Sequence, residues 1–221
     1  MLKIIAALLM LIDHIGLVLF PASFAFRIIG RLSMPIYAYC IAKGFYYSRQ
    51  HGTLHKYLRN MLIFATVSQI PYWYMTHNGF NIGYTWLISL LLLMIANIKS
   101  KSLLSTLGIT FLCFLPVAFI VGTGVFAVDY GLYGIITPLL FYVLIVTEKE
   151  NLINYMIVLV IGYIFYLFVQ NGSILQIISI FSAFILSVRK KLKIKIKIPK
   201  WVFYAFYPVH IAILLVIKQL N

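Results

Sequence analysis

The sequence predicts an all-α protein, a polytopic bundle of about nine transmembrane helices that forms a single domain over residues 1–221. Of the 221 residues 63% are hydrophobic and only 10% are charged, whereas a soluble domain carries about 25% charged residues. The apolar runs also recur at the length of roughly 20 residues that a bilayer requires. Short polar gaps separate these runs and contain most of the basic residues. Together these observations exclude a soluble enzyme.

The individual helices follow from the alternation of apolar runs and polar gaps. The runs predict helices over residues 3–20, 27–47, 54–76, 82–98, 103–121, 130–147, 152–169, 173–188 and 201–219. The seventh and eighth could also form one broken unit, because the turn signal Asn171-Gly172 lies between them.

The orientation of the bundle follows from the basic residues, which occupy every second gap. They lie after the second helix (Arg49, Lys56, Arg59), after the fourth (Lys99, Lys101) and before the ninth (residues 189–197). The gaps after helices one, three, five and seven contain no lysine. Because cytoplasmic loops of membrane proteins are enriched in Lys and Arg, the N-terminus is predicted inside and the C-terminus outside.

The most basic stretch, residues 189–200, is predicted to be a cytoplasmic linker that lies against lipid headgroups before the last helix. Its alternation of Lys and Ile also fits a short β-strand. The formal net charge of +14 is therefore attributed to membrane lipids as partners, and no nucleic-acid partner is expected.

The neighbouring residues Asp13 and His14 interrupt the middle of the first apolar run. Asp13 is one of only four acidic residues, against eighteen Lys and Arg. A carboxylate at the centre of a bilayer costs at least about 2.5 kcal/mol, so such residues usually have a partner and a function. The imidazole of His14 titrates near neutrality, which suits a general base. Structural packing alone explains two adjacent ionisable groups poorly.

A second histidine is predicted to meet the first. Both the first and the ninth helix enter from the same side, and His210 lies about nine residues into the ninth. At a rise of about 1.5 Å per residue, His210 and His14 reach nearly the same depth. Pro208 is expected to kink the ninth helix beside them. His210 could equally be a buried structural residue.

Two arginines supply a partner for Asp13. Arg27 and Arg31 are spaced i, i+4 and so share one face of the second predicted helix. Arg31 is expected to reach the Asp13 carboxylate with its guanidinium. One acid against two arginines leaves a surplus positive charge, which predicts an anionic ligand such as a phosphate or carboxylate.

Further polar residues gather at the predicted outer end of the bundle. Asn81 and Thr85 open the fourth helix at i, i+4 spacing, and Tyr130 opens the sixth. Each also has a structural interpretation: Asn81 suits a helix cap, and Asp129 is expected to be the N-cap of the sixth helix. The loop histidines have no metal-ligand spacing, so no metal is expected.

Several segments resemble the TraX family, in order and over nearly the whole chain. They are Leu2–Gly16, Arg27–Ala38, Ser68–Pro71, Asn81–Thr85 and Tyr207–His210. The resemblance implies a multi-pass protein of the bacterial cytoplasmic (inner) membrane. The family is linked to N-terminal acetylation of conjugative pilin, and it looks related to transmembrane acyltransferases that use acyl-CoA.

The resemblance implies transfer of an acetyl group from cytoplasmic acetyl-CoA to an outward-facing amine or hydroxyl. The acceptor would be a pilin N-terminus, a surface glycan or a cell-wall polymer. His14 would be the base, His210 an alternative base or acyl carrier, and Asp13 an orienting group. Substrate or cofactor binding would fall to Arg27, Arg31, Asn81, Thr85, Tyr130 and Tyr207.

A small proton-coupled transporter with a His/Asp relay at the midplane is the competing hypothesis, because ion pathways use the same residue types. Against it, no internal repeat relates the two halves of the chain.

Overall fold

The computed structural model describes residues 1–99, 102–170, 173–189 and 198–220, and every regular element in these ranges is helical. The α-helices are α1 (Leu2–Val18), α2 (Phe24–Gly30), α3 (Ser33–Gln50), α4 (Leu54–Thr76), α5 (Ile82–Lys99), α6 (Leu103–Gly122), α7 (Gly131–Val146), α8 (Leu152–Gln170), α9 (Ser182–Val188) and α10 (Lys200–Leu220), with a 3₁₀ helix over Ile174–Phe181 before α9. The predicted all-α class is thus confirmed for the described part of the chain.

Within the described ranges, two helices are long and apolar enough to cross a membrane, Leu104–Gly122 and Lys200–Leu220. Only 17% and 22% of their most apolar segments are buried inside the protein, whereas the core helix of a soluble protein would be mostly buried. Large apolar side chains instead face outward on α6, such as Leu104 (81% exposed) and Phe119 (72% exposed). Outward apolar surface of this extent indicates lipid as the surroundings and hence a membrane protein.

The second predicted helix is broken into two, which the apolar pattern of residues 27–47 concealed. Helix α2 ends at Gly30, and α3 begins at Ser33. Pro35 explains the break because its ring would clash with the carbonyl of residue 31 in a continuous helix. In the first turn of α3, by contrast, the missing N–H of Pro35 removes no intrahelical hydrogen bond.

One end of the bundle, here called the site end, is held together by two paired loops. The backbone N–H of Phe80 donates to the carbonyl of Ala127 at 2.9 Å, and the N–H of Asp129 donates to the carbonyl of Phe80 at 2.8 Å. These bonds join the loop before α5 to the loop before α7. The α2–α3 junction reaches the same end, because the Arg31 guanidinium lies over the Tyr130 ring.

The opposite end of the bundle, here called the basic end, contains the helix termini that flank the basic gaps of the sequence. Arg189 after α9 pairs with Glu150 before α8, at 2.7 Å between Nη2 and Oε1. Tyr39 of α3 donates to the same Glu150 oxygen at 2.6 Å, and Lys3 of α1 lies over the Phe203 ring of α10. Residues 190–197 of the predicted basic linker lie outside the described residues.

Helices α1 and α2 pack at unusually close range, and two glycines permit it. A Cβ built on Gly30 would overlap the side chain of Asp13, and one on Gly16 would overlap the side chain of Phe26. The charged side chain of Asp13 is therefore pressed against the backbone of α2. This contact fixes the direction in which Asp13 points.

Gly30→Ala is expected to destabilise the protein by about 1–3 kcal/mol, because the added methyl must displace Asp13 or separate α1 from α2. Thermal unfolding of the purified protein in detergent measures the effect. The matched control is Gly108→Ala in α6, where nothing lies within 4 Å of the added Cβ. That change should be neutral or slightly stabilising, since alanine favours a helix by roughly 0.5–1 kcal/mol over glycine. Equal unfolding midpoints for the two variants would contradict the packing argument.

Candidate functional site

The first and last helices meet through two buried histidines. His14 Nδ1 lies 2.6 Å from His210 Nε2, and the rings are stacked with their centroids 4.9 Å apart. The side chains come from positions 196 residues apart. The structure therefore brings together the two histidines that the depth arithmetic placed at one level.

A hydrogen bond from His210 to a backbone carbonyl determines which histidine nitrogen remains unprotonated and can act as a base. His210 Nδ1 lies 2.6 Å from the carbonyl oxygen of Phe206, and because a carbonyl only accepts, Nδ1 must carry the proton. In a neutral His210, Nε2 then accepts from Nδ1–H of His14. His14 is left with an unprotonated Nε2. The hydrogen-bond chain thus orients His14 as a base.

Asp13 is paired with Arg27 rather than with Arg31, which the sequence analysis favoured. Arg27 Nη1 lies 3.1 Å from Asp13 Oδ1, and the two side chains are 21% and 7% exposed. Arg31 is the C-cap of α2, and its backbone N–H donates to the Arg27 carbonyl, so the two arginines lie one helical turn apart. The Arg31 guanidinium instead lies over the Tyr130 ring, 5.6 Å from the centroid. Among the described residues, Asp13 therefore forms a salt bridge with only one of these two arginines.

A small cavity of about 20 Å³ lies beside His14. A volume of about 10–15 Å³ suffices for one water molecule, so the cavity holds one oxygen-sized group. Its lining residues come from α1, α3, α5, α10 and the loop before α7: Met10, Asp13, His14, Ser33, Met34, Tyr37, Ile82, Trp86, Asp129, Tyr130 and Tyr207. The described residues thus place both carboxylates of the site end around one histidine.

Four aromatic residues with polar groups line this cavity: Tyr37, Trp86, Tyr130 and Tyr207. The Tyr207 ring meets the His14 ring edge to face, with centroids 5.7 Å apart, and Trp86 is packed against Tyr37. Tyr130 and Tyr207 were predicted as site residues from the sequence, whereas Tyr37 and Trp86 were not. No spacing or neighbouring motif distinguishes Trp86 from the packing aromatics of the other apolar helices.

Asn81 and Thr85 hold the framework behind the cavity and are not among its lining residues. Asn81 Oδ1 accepts from the backbone N–H of Gly83 at 2.8 Å, which caps α5, and its amide donates to the carbonyl of Ala65 at 2.7 Å. Thr85 Oγ1 donates to the carbonyl of Asp129 at 2.9 Å. These bonds fix α5 against α4 and against the loop before α7.

Asp129 lies beside the cavity and is not the expected helix cap. The N-cap of α7 is Tyr130, whose backbone is left-handed with φ of 57°, and no side chain caps the helix there. The turn directs the Tyr130 side chain and Asp129 to the cavity. Burial, together with the nearby charge of Asp13, raises the pKa of the Asp129 carboxyl to about 7.

Comparison with known protein families gives a match over nearly the whole chain. The profile of the family described as "TraX protein" matches residues 1–218. The chain belongs to the TraX family. The match includes both histidine-bearing helices and the loops that line the cavity.

The TraX-family chain has a curated relative of nearly the same extent. The "Probable fimbrial assembly protein FimC, serogroup H1" of Dichelobacter nodosus is 26% identical, over 96% of this chain and 92% of that protein. A shorter match is the "Uncharacterized protein RP591" of Rickettsia prowazekii (strain Madrid E), 46% identical over 21% of this chain and 18% of that protein. No solved structure matches the chain.

The raised pKa of Asp129 predicts a pH-dependent stability. The folded protein keeps this proton up to about pH 7, whereas an unfolded chain releases it near the ordinary value of 3.8. Folding stability should therefore fall as the pH rises from about 4 to about 7 and level off above. Asp129→Asn, which resembles the neutral acid, should remove this decline. The measurement is the thermal unfolding midpoint in detergent at a series of pH values.

Glu148→Gln is the matched control, because Glu148 is an exposed carboxylate before α8. Its unfolding midpoint should follow the wild-type pH profile. An Asp129→Asn profile parallel to the wild-type profile from pH 4 to 8 would refute the assignment.

Proposed function

We propose that this chain is a membrane acyltransferase that moves an acetyl group from acetyl-CoA to an amine or hydroxyl acceptor. The observation that carries the proposal is the pairing of His14 with His210 beside the cavity. Acyl transfer requires a base that removes a proton from the acceptor as it attacks the thioester carbonyl. The unprotonated Nε2 of His14 meets that requirement, while His210 and the Phe206 carbonyl hold the ring in the necessary tautomer.

Asp13 and Arg27 have a supporting role in this proposal. Asp13 precedes His14 on α1, and adjacent helical positions differ in direction by about 100°. Pairing Asp13 with Arg27 on α2 therefore leaves His14 to face α10. Arg31 and Tyr130 are proposed to contribute positive charge and a polar ring edge to the substrate, while Asn81 and Thr85 position the loops around it.

The proposed membrane topology has several crossings, with the N-terminus in the cytoplasm and the C-terminus outside, in the bacterial inner membrane. The basic end would face the cytoplasm, as the positive-inside rule requires. CoA is a cytoplasmic anion, and basic helix termini would attract its phosphates. The cavity lies toward the site end, which would face outward, so the acetyl group would pass through the bundle to its acceptor.

The acceptor is proposed to be a pilin N-terminus, with a surface glycan or cell-wall polymer as the other class. The name of the Dichelobacter nodosus relative, a probable fimbrial assembly protein, favours pilin. Mass spectrometry of surface proteins and glycans from cells with and without this protein would identify the acetylated group. No metal takes part in the proposed reaction.

A proton-coupled carrier is the second candidate, and the histidine pair itself is the reason to consider it. Two hydrogen-bonded imidazoles at one depth resemble a proton relay. The relay, however, ends at the carbonyl of Phe206, which accepts a hydrogen bond but passes no proton on. This arrangement suits a base better than a conduction pathway.

His14→Ala is expected to lower the rate of acetyl transfer, or of acetyl-CoA hydrolysis by water, by about 10²–10⁴-fold, because the general base is lost. The assay follows free thiol release by purified protein in liposomes. His55→Ala is the control, since His55 is exposed at the basic end and should leave the rate unchanged. A His14→Ala protein with the wild-type rate would refute the proposed mechanism.

Proton flux separates the two candidate functions. Liposomes that contain the wild-type protein and a pH-sensitive dye should show no proton flux above that of empty liposomes when no acyl donor is present. Flux that is abolished by His14→Ala would instead establish the carrier and overturn the acyltransferase.

A further inference from the structure

The cavity beside His14 carries two buried hydrogen-bond donors that the proposed base does not use. Trp86 is 5% exposed and Tyr207 is 3% exposed, and both line the cavity. Neither the indole N–H nor the phenol hydroxyl has a hydrogen-bond partner among the residues that the structure describes. A buried donor without a partner is unfavourable, so it marks a position where a ligand supplies the acceptor.

The chemistry of these groups selects the ligand. The indole of Trp86 only donates, so its partner must be an acceptor atom. At position 207, phenylalanine would fill nearly the same space as tyrosine without burying a hydroxyl. The cavity of about 20 Å³ holds one oxygen-sized atom. An oxygen with negative or partial negative charge is the acceptor that fits both donors.

The charges around the cavity also favour a negative oxygen. Asp13 is neutralised by Arg27, and the raised pKa of about 7 keeps the Asp129 carboxyl protonated below neutral pH. Arg31 then contributes an unbalanced positive charge next to the lining residue Tyr130. In a site that is screened from water, such a charge stabilises an anion more strongly than it would in solution.

We propose that Trp86 and Tyr207 form a binding site for the acyl carbonyl oxygen of the thioester, which becomes an oxyanion during transfer. This inference rests on the proposed acyltransferase function and assigns two donors to it. Backbone and side-chain donors aimed at such an oxygen are a general means of stabilising acyl-transfer transition states.

The step balances without a further reactant. The lone pair of the acceptor nitrogen or oxygen forms a bond to the thioester carbon, and the carbonyl π electrons move to the oxygen held by Trp86 and Tyr207. His14 Nε2 takes the proton of the acceptor. When the oxyanion collapses, the C–S bond breaks, and the CoA thiolate receives that proton. The products are the acetylated acceptor and CoA thiol.

The test uses Trp86→Phe and Tyr207→Phe in the full-length protein, with acetyl-CoA as the donor. Each variant is expected to lower kcat by about 10²–10³-fold with less than about a threefold change in KM, because the donors act mainly on the transition state. The unfolding midpoint of Tyr207→Phe should stay the same or rise, since an unpartnered buried hydroxyl is removed. That of Trp86→Phe should fall modestly, because the smaller ring leaves a void. Trp73→Phe on the exposed face of α4 and Tyr163→Phe, whose hydroxyl bonds the Ile174 carbonyl, are the matched controls.

A spectroscopic arm measures the carbonyl bond itself. With acetyl-CoA labelled by ¹³C at the carbonyl, infrared difference spectra of His14→Ala protein should show a C=O stretch shifted to lower frequency. The shift should shrink when Trp86→Phe is added, because one donor to the oxygen is lost.

Three different results would overturn the inference. The wild type could turn over acetyl-CoA while both Phe variants keep kcat within threefold of wild type and the same C=O frequency. In that case the assignment of Trp86 and Tyr207 to the carbonyl oxygen is wrong, and the proposed acyltransferase function stands. Loss of stability with unchanged kcat would assign Trp86 and Tyr207 a purely structural role. A wild-type protein that neither binds nor turns over acetyl-CoA would overturn the proposed function and this site with it.

Discussion

The ion pair between Asp13 and Arg27 is the constraint on which the rest of the site depends. A buried carboxylate is tolerated only with a partner, and Arg27, the partner here, lies on a helix pressed against Asp13 through Gly30. Holding Asp13 toward α2 leaves His14 to face α10. The adjacent residues Asp13 and His14 therefore contact two different helices. Asp13 forms an ion pair with α2, and His14 forms a hydrogen bond with α10.

The short helix α2 brings both arginines to the site end. Arg27 pairs with the Asp13 carboxylate, and Arg31, one turn later, lies over the ring of Tyr130. Because the backbone N–H of Arg31 donates to the Arg27 carbonyl, the two targets are reached by different side-chain directions from one helical turn. Arg31 thereby places its charge near the paired loops at the site end.

Features that depend on periodicity and on depth in the bundle could be predicted from the sequence. Features that depend on single side-chain contacts could not. The span 54–76 was predicted to the residue, and the common depth of His14 and His210 followed from the rise of a helix. The break before α3 was missed because Pro35 lies inside an unbroken apolar run. Asp129 was taken for a cap because its position suits one, whereas the left-handed turn at Tyr130 determines its direction. Trp86 has no local pattern that separates it from a packing residue.

The histidine pair joins the first helix of the bundle to the last one, which has a consequence for biosynthesis. During membrane insertion α1 enters early, and His14 then has no partner until α10 has been synthesised and inserted. The tautomer of His14 is fixed only when α10 has docked against α1. Under the proposed mechanism, insertion of α10 and assembly of the histidine pair are consequently one event, and chains without an inserted α10 would lack an oriented base.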